Sequence, residues 1–271
     1  MIATDSTDLG NNVNWQFGST PPEQSSIFPS LSWHYYLPIT IPASKLSSTL
    51  TDFPVSVDLS TLPQTFFDYV RSDGGDIRVV LPDLETQVPI EIESISTSNK
   101  TGSLFFKAPE LSNVTDNVFY LFYGNSFALG YDPSDTYGAH NVWTNGYVGV
   151  WHMAEDPSGT APQVKDSTVN NYSGTASEDM TSVNLVQGKL TNALSFNRTS
   201  NYVGFGTLNP LPNGVGAVNL WFKMTNMTNG VNNYLIAKGN DYTNTAWGID
   251  ILPMSATTAE AFLLYGNRRW S

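Results

Sequence analysis

From Trp33 onward, apolar side chains recur at every second position, the period of a strand with one face buried. Phe53, Val55, Val57 and Leu59 fall on one side of such a strand, and Pro54, Ser56 and Asp58 fall on the other. Val88, Ile90 and Ile92 alternate in the same way with Pro89, Glu91 and Glu93. Residues 118–123 are apolar on both faces, which predicts a central strand covered on each side. One short helix is predicted over 63–70, with Ser60 or Thr61 as its cap and Gly74 and Gly75 ending it. In the second half the pattern predicts strands over 148–152, 193–196, 201–205, 218–224, 234–238, 247–252 and 261–265. The chain therefore reads as all-β, without internal repeats.

Breaks in this pattern divide the chain. Residues 1–30 carry Gly10, Asn11, Asn12, Gly18, Pro21, Pro22 and Pro29, so they read as an extended arm, with Trp15 and Phe17 as its anchors. Gly130, Pro133, Gly138 and Gly146 mark 128–146 as a linker, where Tyr131, Tyr137 and Trp143 are placed to pin neighbouring domains. Two β-sandwiches are expected, at 31–127 and 147–271.

The order of Trp33-His34-Tyr35-Tyr36, Leu50-Thr51-Asp52-Phe53-Pro54-Val55, Ser72-Asp73-Gly74-Gly75-Asp76-Ile77-Arg78 and Leu121-Phe122-Tyr123-Gly124-Asn125 resembles the family called domain of unknown function 2341. In that family the module belongs to large bacterial or archaeal surface proteins and is often followed by a concanavalin-A-like, laminin-G-like jelly roll. Val150-Trp151-His152-Met153, Asp166-Ser167-Thr168, Gly188 to Phe196, Tyr202-Val203 and 218–223 look like the opening of such a jelly roll. That fold needs on the order of 150 to 200 residues. The resemblance thus implies a second sandwich incomplete at its C-terminus, after Arg269-Trp270-Ser271, completed by further sequence, a second copy or a neighbouring chain.

Composition narrows the class. The net charge is −12 with only 12 basic residues, which excludes the clustered cations that nucleic acid or anionic lipid requires. Cysteine is absent, so neither a disulfide nor a thiolate ligand contributes. No apolar run has the length of a transmembrane segment, and the N-terminal residues lack the pattern of a signal peptide. Low charge with abundant Ser, Thr, Asn and Gly suits an extracellular, cell-surface or virion protein.

Catalytic chemistry finds little purchase. Laminarinase-type glycosidases on this fold need three acids alternating on one strand, whereas Glu91 and Glu93 stand without a third and read as a solvated strand face. His34, His140 and His152 have no metal-ligand spacing and read as packing residues. No catalytic residue is therefore assigned. For the jelly roll, the resemblance implies a calcium ion held by loop oxygens, with Asp156, Asp166 and Asp241 as ligands. A glycan would stack on an aromatic face beside hydrogen-bonding side chains, and Asn240, Asp241, Tyr242, Asn244 and Trp247 share one predicted loop. Five Asn-x-Ser/Thr sequons, at Asn99, Asn113, Asn171, Asn197 and Asn226, match chance for this composition. The expected function is non-catalytic adhesion or carbohydrate recognition. The alternatives are a structural subunit of a fibre, appendage or virion and, third, a polysaccharide-degrading enzyme.

Overall fold

In the computed structural model the alternating segments pair into antiparallel sheets, and the protein is all-β apart from short helical turns. The structure describes residues 16–17, 33–189, 191–206, 208, 216–224, 233–238, 247–253, 259–265 and 268–270. The chain divides into two compact units, 1–206 and 207–271.

The first unit opens with β1 (Gln16–Phe17), β2 (Tyr35–Ile41) and β3 (Leu50–Asp58), followed by the helix α1 (Gln64–Tyr69). Next come β4 (Arg78–Val80), β5 (Gln87–Val88), β6 (Ile90–Ser96), β7 (Thr101–Leu111) and β8 (Asn117–Tyr123). One sheet has the order β1-β2-β8-β4-β5 and the other β3-β7-β6. The registers Leu37↔Leu121 and Ile39↔Phe119 in the first, and Val55↔Phe106 and Val57↔Leu104 in the second, turn one row of each sheet inward. These rows form a single core with Phe66 and Phe67 of α1, which makes this part a β-sandwich. Each fully buried Leu, Val or Phe contributes about 1.5–3 kcal/mol.

β8 is central in its sheet and is covered on both faces, as its unbroken apolar run predicts. Its outward Phe122 joins Val80, Trp33, Tyr36, Leu84 and Tyr120 in a second apolar cluster. Of the predicted inward row of β3, Phe53 remains exposed. The helix differs from expectation at both ends. Pro63 precedes it without a side-chain cap, because Ser60 and Thr61 belong to a separate 3-10 turn in which Ser60 N donates to Asp58 Oδ1. It stops at Val70, whose backbone is already extended, before the glycine pair is reached.

Residues 128–146, read as a linker, pack on the first sandwich. Ile90 N donates to Tyr137 O, and the Trp143 ring meets Phe105 of β7 at 5.2 Å. The rest of the first unit holds β9 (Thr175–Ala176), β10 (Leu185–Gln187), β11 (Asn192–Leu194) and β12 (Val203–Gly204), paired as β10-β11 and β9-β12. The predicted strand over 148–152 is not formed. Val150 N donates to the carboxylate of Asp166 rather than to a neighbouring strand.

The second unit contains the four-stranded antiparallel meander β13 (Asn233–Lys238), β14 (Trp247–Pro253), β15 (Ala259–Tyr265) and β16 (Arg268–Trp270). Residues 218–224, expected as a strand, are described without regular structure.

Candidate functional site

The first unit gathers its buried polar side chains at two places. One is the turn at 71–76, where Gly74 adopts φ +69° and a Cβ would come within 2.9 Å of Ile92 Cδ1. This turn drives Asp76 fully inside. Its Oδ1 accepts from Arg71 N at 3.0 Å, and its Oδ2 accepts from Gly124 N at 2.8 Å and Asn125 N at 3.1 Å. Trp33 Nε1 donates to the Asp76 carbonyl at 2.7 Å. Arg78 is also buried and donates to the carbonyls of Gly75, Ile77 and Leu129, with its guanidinium 4.2 Å from the Tyr131 ring centre. Burial raises the Asp76 pKa against the pull of its three backbone donors, and burial lowers that of Arg78. On the surface of the turn, the Arg71 guanidinium holds the Asp73 carboxyl well below the usual carboxylate range. The chemistry of this latch is positional: it fixes the loop after β8 against the turn before β4.

The second place is the outer face of β6. Glu91 does not lie on a solvated face, as its alternation suggested, because residues 143–168 cover it. Trp143 Nε1 donates to Glu91 Oε2 at 2.6 Å, and Ser167 Oγ donates to Glu91 Oε1. His152 Nε2 lies 3.2 Å from Glu91 Oε2, close enough for an ion pair but out of line for a hydrogen bond. The imidazole stacks on Phe105 at 4.9 Å and 21°. Two residues along β6, Glu93 accepts from Thr191 Oγ1. Burial disfavours the charged imidazole, but the contact with Glu91 and the charges of Glu91, Glu93 and Glu155 outweigh it, so the His152 pKa is raised.

Serine, histidine and glutamate thus meet, but both Ser167 and His152 approach the same carboxylate. An activated serine needs the imidazole between hydroxyl and acid, and Ser167 and His152 share no hydrogen bond. The arrangement is a polar joint that ties residues 143–191 to the first sandwich.

The metal expectation meets a loop built from protein donors. Asp166 is buried and accepts from Val150 N, Thr168 N, Thr168 Oγ1 and Tyr172 N, at 2.8–3.0 Å. Asp156 lies elsewhere and closes a turn by accepting from Ser158 N and Oγ. Among the described residues no group of three or more His, Asp or Glu side chains is placed to hold an ion. Asp241, Asn240, Tyr242 and Asn244 lie outside the described residues, as does Asn226. Trp247 opens β14 and is 7% exposed, so its ring presents no open face for a sugar.

Among the described residues, no helix is long and apolar enough to cross a membrane. No protein-family model, curated protein or solved structure matches the chain.

Sequence reasoning missed the partners of Glu91. Trp143 and Ser167 stand 52 and 76 residues away, and no local spacing announces contacts at that range. The available signal was the polar set His152, Asp166, Ser167 and Thr168 in the stretch read as the opening of a jelly roll.

Proposed function

We propose that the chain is a non-catalytic module of a protein displayed outside cells or on a virion, where it acts as a structural and adhesive spacer. The joint at Glu91 carries this reading. It commits the most conspicuous ionisable groups to holding residues 143–168 on the first sandwich as part of one compact unit. Hydrolysis of a polysaccharide would call for a pair of available carboxylates, whereas Glu91 and Glu93 are occupied by Trp143, Ser167 and Thr191. The resemblance to domain of unknown function 2341 followed by a concanavalin-A-like jelly roll points the same way, toward a surface protein that forms oligomers or docks a neighbouring chain.

Carbohydrate recognition, with or without calcium, is the second reading. In the second unit, Trp221 is 78% exposed, the kind of open aromatic face on which a sugar ring stacks.

A glycan array probed with and without a chelator, alongside sedimentation of the same folded sample, separates the two readings. Defined oligomers with no sugar bound are expected for the spacer. Sugar binding that is lost in Trp221→Ala would overturn it in favour of a lectin-like module.

A further inference from the structure

His152 is held among carboxylates where a single proton decides the balance of charge. Its side chain is 16% exposed and that of Glu91 is 11% exposed. From β6, Glu91 and Glu93 act on it, and from its own segment Glu155, whose oxygens already accept from Lys165 N and Ala154 N. β7 contributes the Phe105 ring, while Lys107 on that strand is turned toward Thr144 and Asp52. The 166–168 loop adds Ser167 and the carboxylate of Asp166, which is taken up by its four donors. Among the described residues, His152 is the one cation in ion-pair contact with Glu91.

We propose that His152 makes this joint a pH-operated lock, in which the imidazolium clamps the segment around residues 143–168 onto Glu91 and loss of its proton loosens that segment from the first sandwich. The Coulomb attraction is strong because the pair is largely removed from water. A neutral imidazole leaves the Glu91 charge with only the indole and hydroxyl donors of Trp143 and Ser167. The direction follows from the raised folded-state pKa: the contribution is fully present below the unfolded histidine value of about 6.5 and is lost as pH rises through the folded value. The lock is therefore closed on the acid side of the folded imidazole's titration, holds to a higher pH than an ordinary histidine would allow, and opens as pH rises through that titration. It rests on the geometry of the joint and stands or falls separately from the display reading.

The test uses the full chain carrying His34→Gln and His140→Gln, which leaves His152 as the one histidine of three. NMR of the imidazole ring reads its titration. Hydrogen exchange across the same pH range, corrected for the intrinsic rate, reads the protection of residues 143–152. The expected titration lies above 6.5, with protection lost through the same interval by up to about tenfold per pH unit of displacement. Glu91→Gln should return the midpoint toward the ordinary value. Titration at or below 6.5, or protection unchanged while the ring titrates, would overturn the lock. His152→Gln should be folded and lack the step, and if it fails to fold the background variant still decides.

Discussion

Trp143 donates its indole N–H to Glu91 across 52 residues of chain, at 2.6 Å, from a segment that its glycines and Pro133 mark as a connection. The bond converts a run with no strand pattern into a cover for the sandwich. A charged acceptor makes it stronger than a neutral hydrogen bond, and the ring adds packing against Phe105 and Tyr147.

Replacing Glu91 separates its two roles. Glu91→Ala strands the Trp143 N–H and the His152 ring without their partner, and a loss of about 3–5 kcal/mol is expected. Glu91→Gln keeps one acceptor, and the Ser167 hydroxyl can rotate to accept from the new amide, so a smaller loss of about 1–2 kcal/mol is expected. Urea denaturation of the three proteins checks the ranking. Equal losses for both substitutions would mean that the acceptor at Trp143 contributes little.

The strands of the first sandwich were legible in the sequence because their partners share one period. Leu37, Ile39 and Ile41 on β2 and Val55 and Val57 on β3 alternate cleanly, and one face of each is core. Residues 148–152 show the same alternation but form no strand, because the side chain of Asp166 takes the backbone donor that a neighbouring strand would have used. A side chain that competes for backbone hydrogen bonds leaves no periodic trace. Glu91 was opaque for a related reason. Alternation assigns a residue to a face, but what covers that face depends on chain far away. Trp247 was read as a sugar-stacking residue of a loop, whereas it opens β14 and is buried, because a loop reading carries no information on what packs over a ring.

Asp166 organises the 148–172 region through four accepted hydrogen bonds, two of them from the backbone of residues outside its own turn, Val150 and Tyr172. Asp166→Ala leaves these donors with nothing to replace the carboxylate, and a loss of about 2–4 kcal/mol is expected. A calcium ion at Asp166 would have to displace donors already at hydrogen-bonding distance. The loss should therefore be the same in calcium and in chelator, as read by thermal unfolding in the two buffers. A loss present only in calcium would place an ion at this carboxylate.

Asp76 needs two acceptor oxygens. Oδ1 faces Arg71 N, while Oδ2 faces Gly124 N and Asn125 N, so either orientation of an amide in Asp76→Asn sets an NH2 group against a backbone N–H. The buried carboxylate is costly to ionise, as its raised pKa indicates, but the substitution exchanges that cost for a donor facing a donor. A net loss of about 2 kcal/mol at neutral pH is expected from denaturant unfolding. The change should also raise hydrogen exchange at Gly124 and Asn125, in the loop after β8, before the amides of β8 itself. A variant as stable as the wild type would show that the turn and loop are held by Arg78 instead.

Gly124 sets the distance between the latch and the aromatic stack beneath it. Its φ is +86°, and a Cβ there would lie 2.6 Å from Tyr35 Cδ2. Tyr35 cannot retreat freely, because its ring is stacked between Tyr69 at 4.4 Å and Tyr123 at 5.5 Å. Gly124→Ala therefore adds backbone strain to a steric clash, and a loss of about 2–4 kcal/mol is expected, larger than for an alanine that meets strain alone. Pairing it with Tyr35→Leu, which opens space at the ring position, should recover the steric part and leave the backbone part of about 1 kcal/mol. A double-mutant cycle by urea unfolding measures that coupling. Strict additivity would show that the close approach between Gly124 and Tyr35 does not constrain the fold, and that strain at the positive φ accounts for the whole effect.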